Sequence, residues 1–153
     1  FFIVIGGSGA TMGLVICYLR SRSAHLRSIG RLSVVPSFFN INEPVIFGTP
    51  IVMNPVFFIP FLLAPMVNAV LAWAAMKLDL IGRVISVVPW TAPAPVGAAW
   101  ALGWDYRAAI LVVILALVSA IIYFPFFKVY EKQLLAQEAE EAGRAEEESQ
   151  QMA

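Results

Sequence analysis

The chain has 153 residues, of which 60% are hydrophobic and only 13% are charged, and its mean hydropathy is +0.81. A soluble domain usually carries about a quarter charged residues, so the composition argues against a soluble enzyme or a nucleic-acid-binding protein and favours a membrane domain. The net charge of zero conceals an asymmetry, because seven of the ten acidic residues lie in the last 23 positions. We therefore predict a basic membrane domain over residues 1–130 and an acidic cytoplasmic tail over 131–153.

The first apolar segment, Phe1–Leu19, is long enough to cross about 30 Å of hydrocarbon. Gly6-Gly-Ser-Gly9 interrupts its first half. Small residues of this kind allow two helices to approach closely. Four of them in a row can also loosen the helix and expose backbone groups. In the second interpretation the hydroxyls of Ser8 and Thr11 are available to a polar ligand, so both are candidate substrate-binding residues.

The most basic stretch of the chain follows, from Arg20 to Arg31. We expect a solvated loop here, and the positive-inside rule places it in the cytoplasm, so residue 1 lies on the outer side. His25, the sole histidine, stands among these arginines, which favours an exposed interfacial residue over a metal ligand or a catalytic group. Cys17 is the only cysteine and cannot form an intrachain disulfide.

Leu32–Pro55 holds Glu43, the only carboxylate between residues 1 and 76. A charge at hydrocarbon depth costs about 2.5–3.5 kcal/mol on the insertion scale and persists mainly where it faces a polar cavity. Asn40 and Asn42 flank it, and nearby prolines break any continuous helix. Irregular backbone with polar side chains is tolerated at membrane depth where it lines a site, as in the broken helices of transporters. This segment is therefore predicted to enter the membrane and return, with Glu43 in a binding site.

Two further spans are predicted, Phe57–Met76 and Arg107–Phe127, and lysines beyond the second place its end in the cytoplasm. Between them, Arg83–Tyr106 contains three prolines in seven residues, which is too broken for a span and too apolar for a free loop. We interpret it as a second re-entrant segment. The tail from Tyr130 to Ala153 has the composition of a helix that leaves the membrane. The predicted fold class is an all-α membrane protein with about three transmembrane helices and two re-entrant hairpins.

The motif Asn40-Ile-Asn-Glu-Pro-Val-Ile-Phe-Gly48 resembles the membrane-embedded IIC component of the phosphotransferase system, in its lactose/cellobiose/diacetylchitobiose family. The resemblance covers about residues 1–135 and implies the C-terminal half of a IIC domain. Further segments resemble the family in family order: Gly6-Gly-Ser-Gly-Ala-Thr11, Ser28-Ile-Gly-Arg-Leu32, Pro50-Ile-Val-Met-Asn-Pro55, Ala64-Pro-Met-Val-Asn68, Val88-Pro-Trp-Thr-Ala-Pro-Ala-Pro95 and Tyr123-Phe-Pro-Phe-Phe-Lys128.

The resemblance implies a permease in the bacterial inner (plasma) membrane that carries a β-linked disaccharide such as cellobiose, chitobiose or lactose and presents it for phosphorylation. The implied phosphoryl donor is a phosphocysteine on the IIB component, and IIA in turn phosphorylates IIB. Glu43 carries over as a sugar-binding and catalytic residue, and Asn42 and Trp90 carry over as sugar-binding residues. A family histidine near the sugar lies upstream, and His25 is not that residue. The implied partners are the disaccharide, IIB with IIA behind it, the lipid bilayer and a second copy in a homodimer of the full-length protein. No cofactor, metal or nucleic acid is implied.

Several alternatives stay open at this point. Glu43 would act as a base, orient the acceptor hydroxyl, or simply cap broken helix ends, since a carboxylate and helix N-termini stabilise one another. Trp90 would stack on the sugar or anchor the chain at the membrane interface. The whole chain could instead belong to an ion-coupled secondary transporter, with Glu43 as the ion site, or to a structural subunit. It contains no G-x-x-x-x-G-K-[ST] motif, so nothing suggests ATP hydrolysis.

Overall fold

The computed structural model describes residues 1–151, with side chains for 1–51 and 53–144. The described chain is all-α, as predicted. A 3-10 turn, Ile51–Met53, lies between the third and fourth helices. The helices are α1 (Met12–Leu19), α2 (Ala24–Phe38), α3 (Glu43–Gly48), α4 (Pro55–Lys77), α5 (Ala94–Ala101) and α6 (Tyr106–Gln151).

The long helix α6 organises the fold, because α1, α4 and α5 all pack against it. Helix α2 packs on α1, and α3 packs on α2. The core near the end of α1 is aromatic. The Tyr18 ring lies 6.4 Å from that of Phe57 and 5.9 Å from that of Phe127. Gly13 lets α1 approach α6 closely, since a Cβ there would collide with the backbone of Ala120.

Two of the described helices, α4 and α6, are long and apolar enough to cross a membrane. They contain the predicted spans Phe57–Met76 and Arg107–Phe127. Helix α6 does not end with its apolar part but continues through the acidic segment to Gln151. The tail is thus a direct extension of the last span, and Met152 and Ala153 lie outside the described residues.

The first segment differs from the expected span. Only Met12–Leu19 is helical, and residues 1–10 are irregular. Gly6, Gly7 and Gly9 have φ angles of +76°, +95° and +80°, which are left-handed conformations that no right-handed helix contains. The irregular backbone is braced by α6, where the Tyr123 hydroxyl donates to the Gly9 carbonyl at 2.7 Å. Of the two interpretations of the small residues, the loosened backbone applies to residues 6–9. Close helix–helix approach applies to Gly13.

The basic stretch is also more ordered than a loop. Helix α2 begins at Ala24, where the Ser23 hydroxyl caps it by accepting a hydrogen bond from the Leu26 N–H. Serine is a common N-cap residue, so Ser23 was a signal for a helix start. The loop was expected instead from the density of arginines around it. Most of Arg20–Arg31 therefore forms the first two turns of α2.

Both segments predicted to be re-entrant have the shape of hairpins. Helix α2 ends at Phe38, the chain reverses at Asn40 with a φ of +62°, and α3 begins at Glu43. In the second hairpin, the N–H groups of Ile85 and Ser86 both donate to the Ala101 carbonyl, so an extended arm returns beside α5. Their depth in a membrane stays a prediction.

Candidate functional site

A cavity of about 400 Å³ lies where three irregular segments meet. One wall is the glycine-rich segment before α1, and the others are the tips of the two hairpins. The cavity thus gathers residues that are up to 89 positions apart in sequence. Its lining consists of Phe1, Val4, Gly7, Ser8, Asn40, Asn42, Glu43, Val88 and Trp90.

Glu43 supplies the only carboxylate of this lining. It begins the short helix α3, directly after the turn of the first hairpin, and it is exposed to the cavity. Among the described side chains and backbone groups, none hydrogen-bonds to its carboxylate. The helix-capping role left open above therefore has no hydrogen bond to support it in the described part of the chain. The Glu43 carboxylate therefore has acceptor capacity left for a ligand in the cavity that it lines.

Asn42 lies beside Glu43 and is buried. Its side-chain amide donates to the Ser8 carbonyl at 2.7 Å, which ties the first hairpin to the glycine-rich segment. This contact requires glycine at position 7, because a Cβ there would overlap the Asn42 side chain and the φ of +95° is strained for other residues. One N–H and the carbonyl oxygen of the Asn42 amide remain for a ligand.

The two hydroxyls proposed for the site occupy different places. Ser8 is exposed and lines the cavity. Thr11 is fully buried, and its hydroxyl donates to the Gly6 carbonyl at 2.7 Å. Ser8 and Glu43 thus line the same cavity. Thr11 is not among the lining residues and instead stabilises the glycine-rich turn through its bond to Gly6.

Trp90 lies at the tip of the second hairpin and lines the cavity with its side chain 66% exposed. An aromatic ring with that much free surface has room to stack on a ligand. The same exposure is compatible with an interfacial anchor, so its role stays a prediction. His25, in contrast, lies exposed on α2 outside the cavity lining.

Asn40 is a lining residue that sequence reasoning did not propose as a site residue. It is 8% exposed and contacts both other walls of the cavity through its side-chain amide. The one available signal was its residue type, because asparagine is enriched among non-glycine residues with positive φ. The described residues contain no group of three His, Cys, Asp or Glu side chains placed to hold a metal ion.

Comparison with known proteins agrees with this geometry. Residues 1–65 match the family model described as "Phosphotransferase system, EIIC". The lactose-specific EIICB component of the phosphotransferase system of Streptococcus mutans serotype c is 44% identical over 144 residues, which is 92% of this chain and 25% of that protein. The lichenan permease IIC component of Bacillus subtilis strain 168 is 42% identical over 139 residues, 90% of this chain and 31% of that protein.

A solved structure is similar as well. The crystal structure of the transporter ChbC, the IIC component from the N,N'-diacetylchitobiose-specific phosphotransferase system, superimposes with a TM-score of 0.87 at 41% identity. The similarity covers 90% of this chain and 32% of that one. The chain thus spans about a quarter to a third of the length of these relatives.

The two long apolar helices and these similarities together define a membrane component. The chain belongs to the EIIC family of the phosphotransferase system. Within it, the chain groups with the lactose, cellobiose and diacetylchitobiose proteins, as its motifs indicated.

Proposed function

We propose that the chain forms the sugar site of a phosphotransferase permease that transports a β-linked disaccharide and presents it to phosphorylated IIB. The observation that carries the proposal is the convergence of Ser8, Asn42, Glu43 and Trp90 on one cavity of about 400 Å³. Support comes also from relatives whose names specify lactose, lichenan and N,N'-diacetylchitobiose.

The lining supplies the chemistry that sugar recognition needs. A sugar ring has hydroxyls around its rim and apolar C–H faces. The Glu43 carboxylate and the free part of the Asn42 amide offer hydrogen bonds to hydroxyls, and bonds to a charged acceptor are the stronger kind. The exposed ring of Trp90 offers an apolar surface to a C–H face. The three groups stand on two hairpin tips that face the same cavity.

Phosphoryl transfer then needs positioning more than covalent chemistry from this chain. The sugar hydroxyl attacks the phosphorus of the phosphocysteine on IIB, its O–P bond forms, and the S–P bond breaks to leave a cysteine thiolate. The hydroxyl proton goes to Glu43, the only carboxylate in the cavity lining. Glu43 thus both orients the hydroxyl and acts as the base, with catalysis of this type contributing about 10²–10⁴-fold.

The setting of this reaction follows from the same proposal. The permease is a multi-pass protein of the bacterial inner membrane, with α4 and the apolar part of α6 among its spans. Phosphorylated IIB, recharged by IIA, reaches the sugar from the cytoplasm. The full-length protein is a homodimer surrounded by lipid.

The test is a transport assay with the full-length protein in inverted membrane vesicles or proteoliposomes. We expect cellobiose, chitobiose or lactose to appear as the sugar phosphate only when phosphorylated IIB is supplied, with no requirement for an ion gradient. Accumulation of unmodified sugar that collapses with a proton or sodium ionophore would contradict the proposal and favour an ion-coupled transporter.

A further inference from the structure

We propose that Asn40 is a positioning residue of the sugar site, which holds its three walls in register without binding the sugar itself. The inference rests on the proposed function, since it assigns a role within the same cavity. It concerns a residue outside the set Ser8, Asn42, Glu43 and Trp90 from which ligand contacts are expected.

The geometry places Asn40 at the junction of all three segments. Its side-chain oxygen accepts the Gly6 N–H at 3.1 Å, which fixes the glycine-rich wall. Its side-chain nitrogen donates to the Trp90 carbonyl at 2.9 Å and to the Ala92 carbonyl at 3.1 Å, which fixes the tip of the second hairpin. One side chain on the first hairpin therefore bonds to both other walls.

These bonds leave Asn40 little capacity for a ligand. A primary amide has two N–H donors, and both are taken by backbone carbonyls. Asn42 differs, because it uses one N–H on Ser8 and retains the other groups. The two asparagines of the motif consequently have different roles. Asn42 is placed to contact the sugar, and Asn40 holds the backbone that carries Trp90.

The residue type at position 40 is restricted in two ways. The φ of +62° is a conformation that asparagine adopts more readily than most residues. In addition, the three bonds need an acceptor and two donors on one short side chain. Aspartate keeps the acceptor for Gly6 but would face two carbonyl oxygens with a negative charge. Alanine loses all three bonds.

The experiment compares Asn40→Asp and Asn40→Ala in the full-length protein, with Asn54→Ala as the matched control. Asn54 also accepts a backbone N–H, from Val56 at 2.9 Å, but it caps α4 away from the cavity lining. We expect disaccharide affinity to fall about tenfold or more in both Asn40 variants, as for the loss of two or more hydrogen bonds. Asn54→Ala should keep wild-type affinity.

Hydrogen exchange supplies a readout that does not depend on sugar. The segment containing the Gly6 amide should exchange faster in Asn40→Ala, whereas Asn40→Asp should retain its protection because the acceptor oxygen remains. A double-mutant cycle tests positioning directly. In a Trp90→Ala background, the loss of affinity from Asn40→Asp should shrink to about threefold or less, since the ring that Asn40 positions is already absent.

Sugar affinity of Asn40→Asp within twofold of wild type would overturn the inference, as would full additivity with Trp90→Ala. Unchanged exchange at Gly6 in Asn40→Ala would overturn it independently of any ligand. Failure of the proposed function has a different signature, because the wild-type protein itself would then bind no disaccharide while the exchange result would still stand.

Discussion

Glu131 on α6 accepts a hydrogen bond from the hydroxyl of Ser21 at 2.6 Å, although 110 residues separate them in sequence. The same oxygen accepts the Arg22 N–H at 2.7 Å, and Lys128 forms an ion pair with the other oxygen at 2.9 Å. About two helical turns further along α6, Glu138 accepts a hydrogen bond from the Ser23 hydroxyl at 2.7 Å. The start of the acidic tail is therefore fastened to the link between α1 and α2.

Glu131→Gln should destabilise this link in a pH-dependent way. Burial raises the pKa of the Glu131 carboxyl, but the hydrogen bonds from Ser21, Lys128 and the Arg22 N–H hold it below its usual value. The stabilisation is therefore fully present above the unfolded-state pKa of about 4.3 and is lost as pH falls through the lower folded-state pKa. At pH 7 we expect a loss of about 1–2 kcal/mol in unfolding free energy. Thermal melts should show the gap to wild type closing below about pH 4, and Glu140→Gln, on an exposed position of α6, should show no gap.

Glu43→Gln should abolish sugar phosphorylation and weaken sugar binding while leaving membrane insertion intact. Losing a hydrogen bond to a charged acceptor costs about 1.5–3 kcal/mol, or about ten- to a hundredfold in affinity. Because the carboxylate has no hydrogen-bonding partner among the described groups, the folded protein should lose little stability. Calorimetric affinity within twofold of wild type would remove Glu43 from the site.

Gly7→Ala should impair the site through the backbone. The new Cβ overlaps the Asn42 side chain, and alanine is strained at a φ of +95°. Displacing Asn42 from Ser8 should lower sugar affinity at least about tenfold. Gly143→Ala is the matched control, since nothing lies within 4 Å of a Cβ there and alanine favours a helix interior. Equal affinities for the two variants would contradict the contact.

Trp90→Phe should change sugar affinity little, because phenylalanine keeps an aromatic face. Trp90→Ala should lower sugar affinity about fivefold, because an aromatic face contact is worth on the order of 1 kcal/mol. An interfacial anchor would behave differently, with lower yield or melting temperature in Trp90→Ala and unchanged affinity. Trp73 is similarly exposed, at 61% against 66%, and lies outside the cavity lining. Trp73→Ala therefore shows what the loss of an exposed tryptophan does by itself.

The topology can be tested by cysteine labelling in a Cys17→Ser background. Ser28 is exposed on α2 within the basic stretch, and Leu80 is exposed beyond α4. A membrane-impermeant maleimide added to intact cells should label Leu80→Cys and spare Ser28→Cys, which should react only after permeabilisation. The reverse pattern would invert the orientation of both hairpins.

The sequence was most informative where a residue conflicts with its surroundings. Glu43 stands alone among apolar residues, and prolines interrupt the apolar segments, so the all-α class and the break between α2 and α3 could be predicted. Long-range contacts have no such signal. Nothing near Glu131 indicates Ser21 as its partner, and the acidic composition of the tail suggested solvation where the structure has a 3% exposed carboxylate. Asn40 was overlooked for the same reason, because its partners lie 34 and about 50 positions away.

Helix α6 has one further consequence. Its 46 residues, at about 1.5 Å per residue, make a rod of roughly 70 Å, more than twice the thickness of a hydrocarbon layer. If the apolar part ends near Phe127, the remaining two dozen residues reach on the order of 35 Å beyond it. Since Glu131 and Glu138 fasten the near portion of that extension to the α1–α2 link, a rotation of the rod within the lipid would move the link with it. If α6 and α2 rotate together, the distance between a spin label near position 140 and one on α2 should stay constant. The distances from the same labels to the lipid headgroups should change.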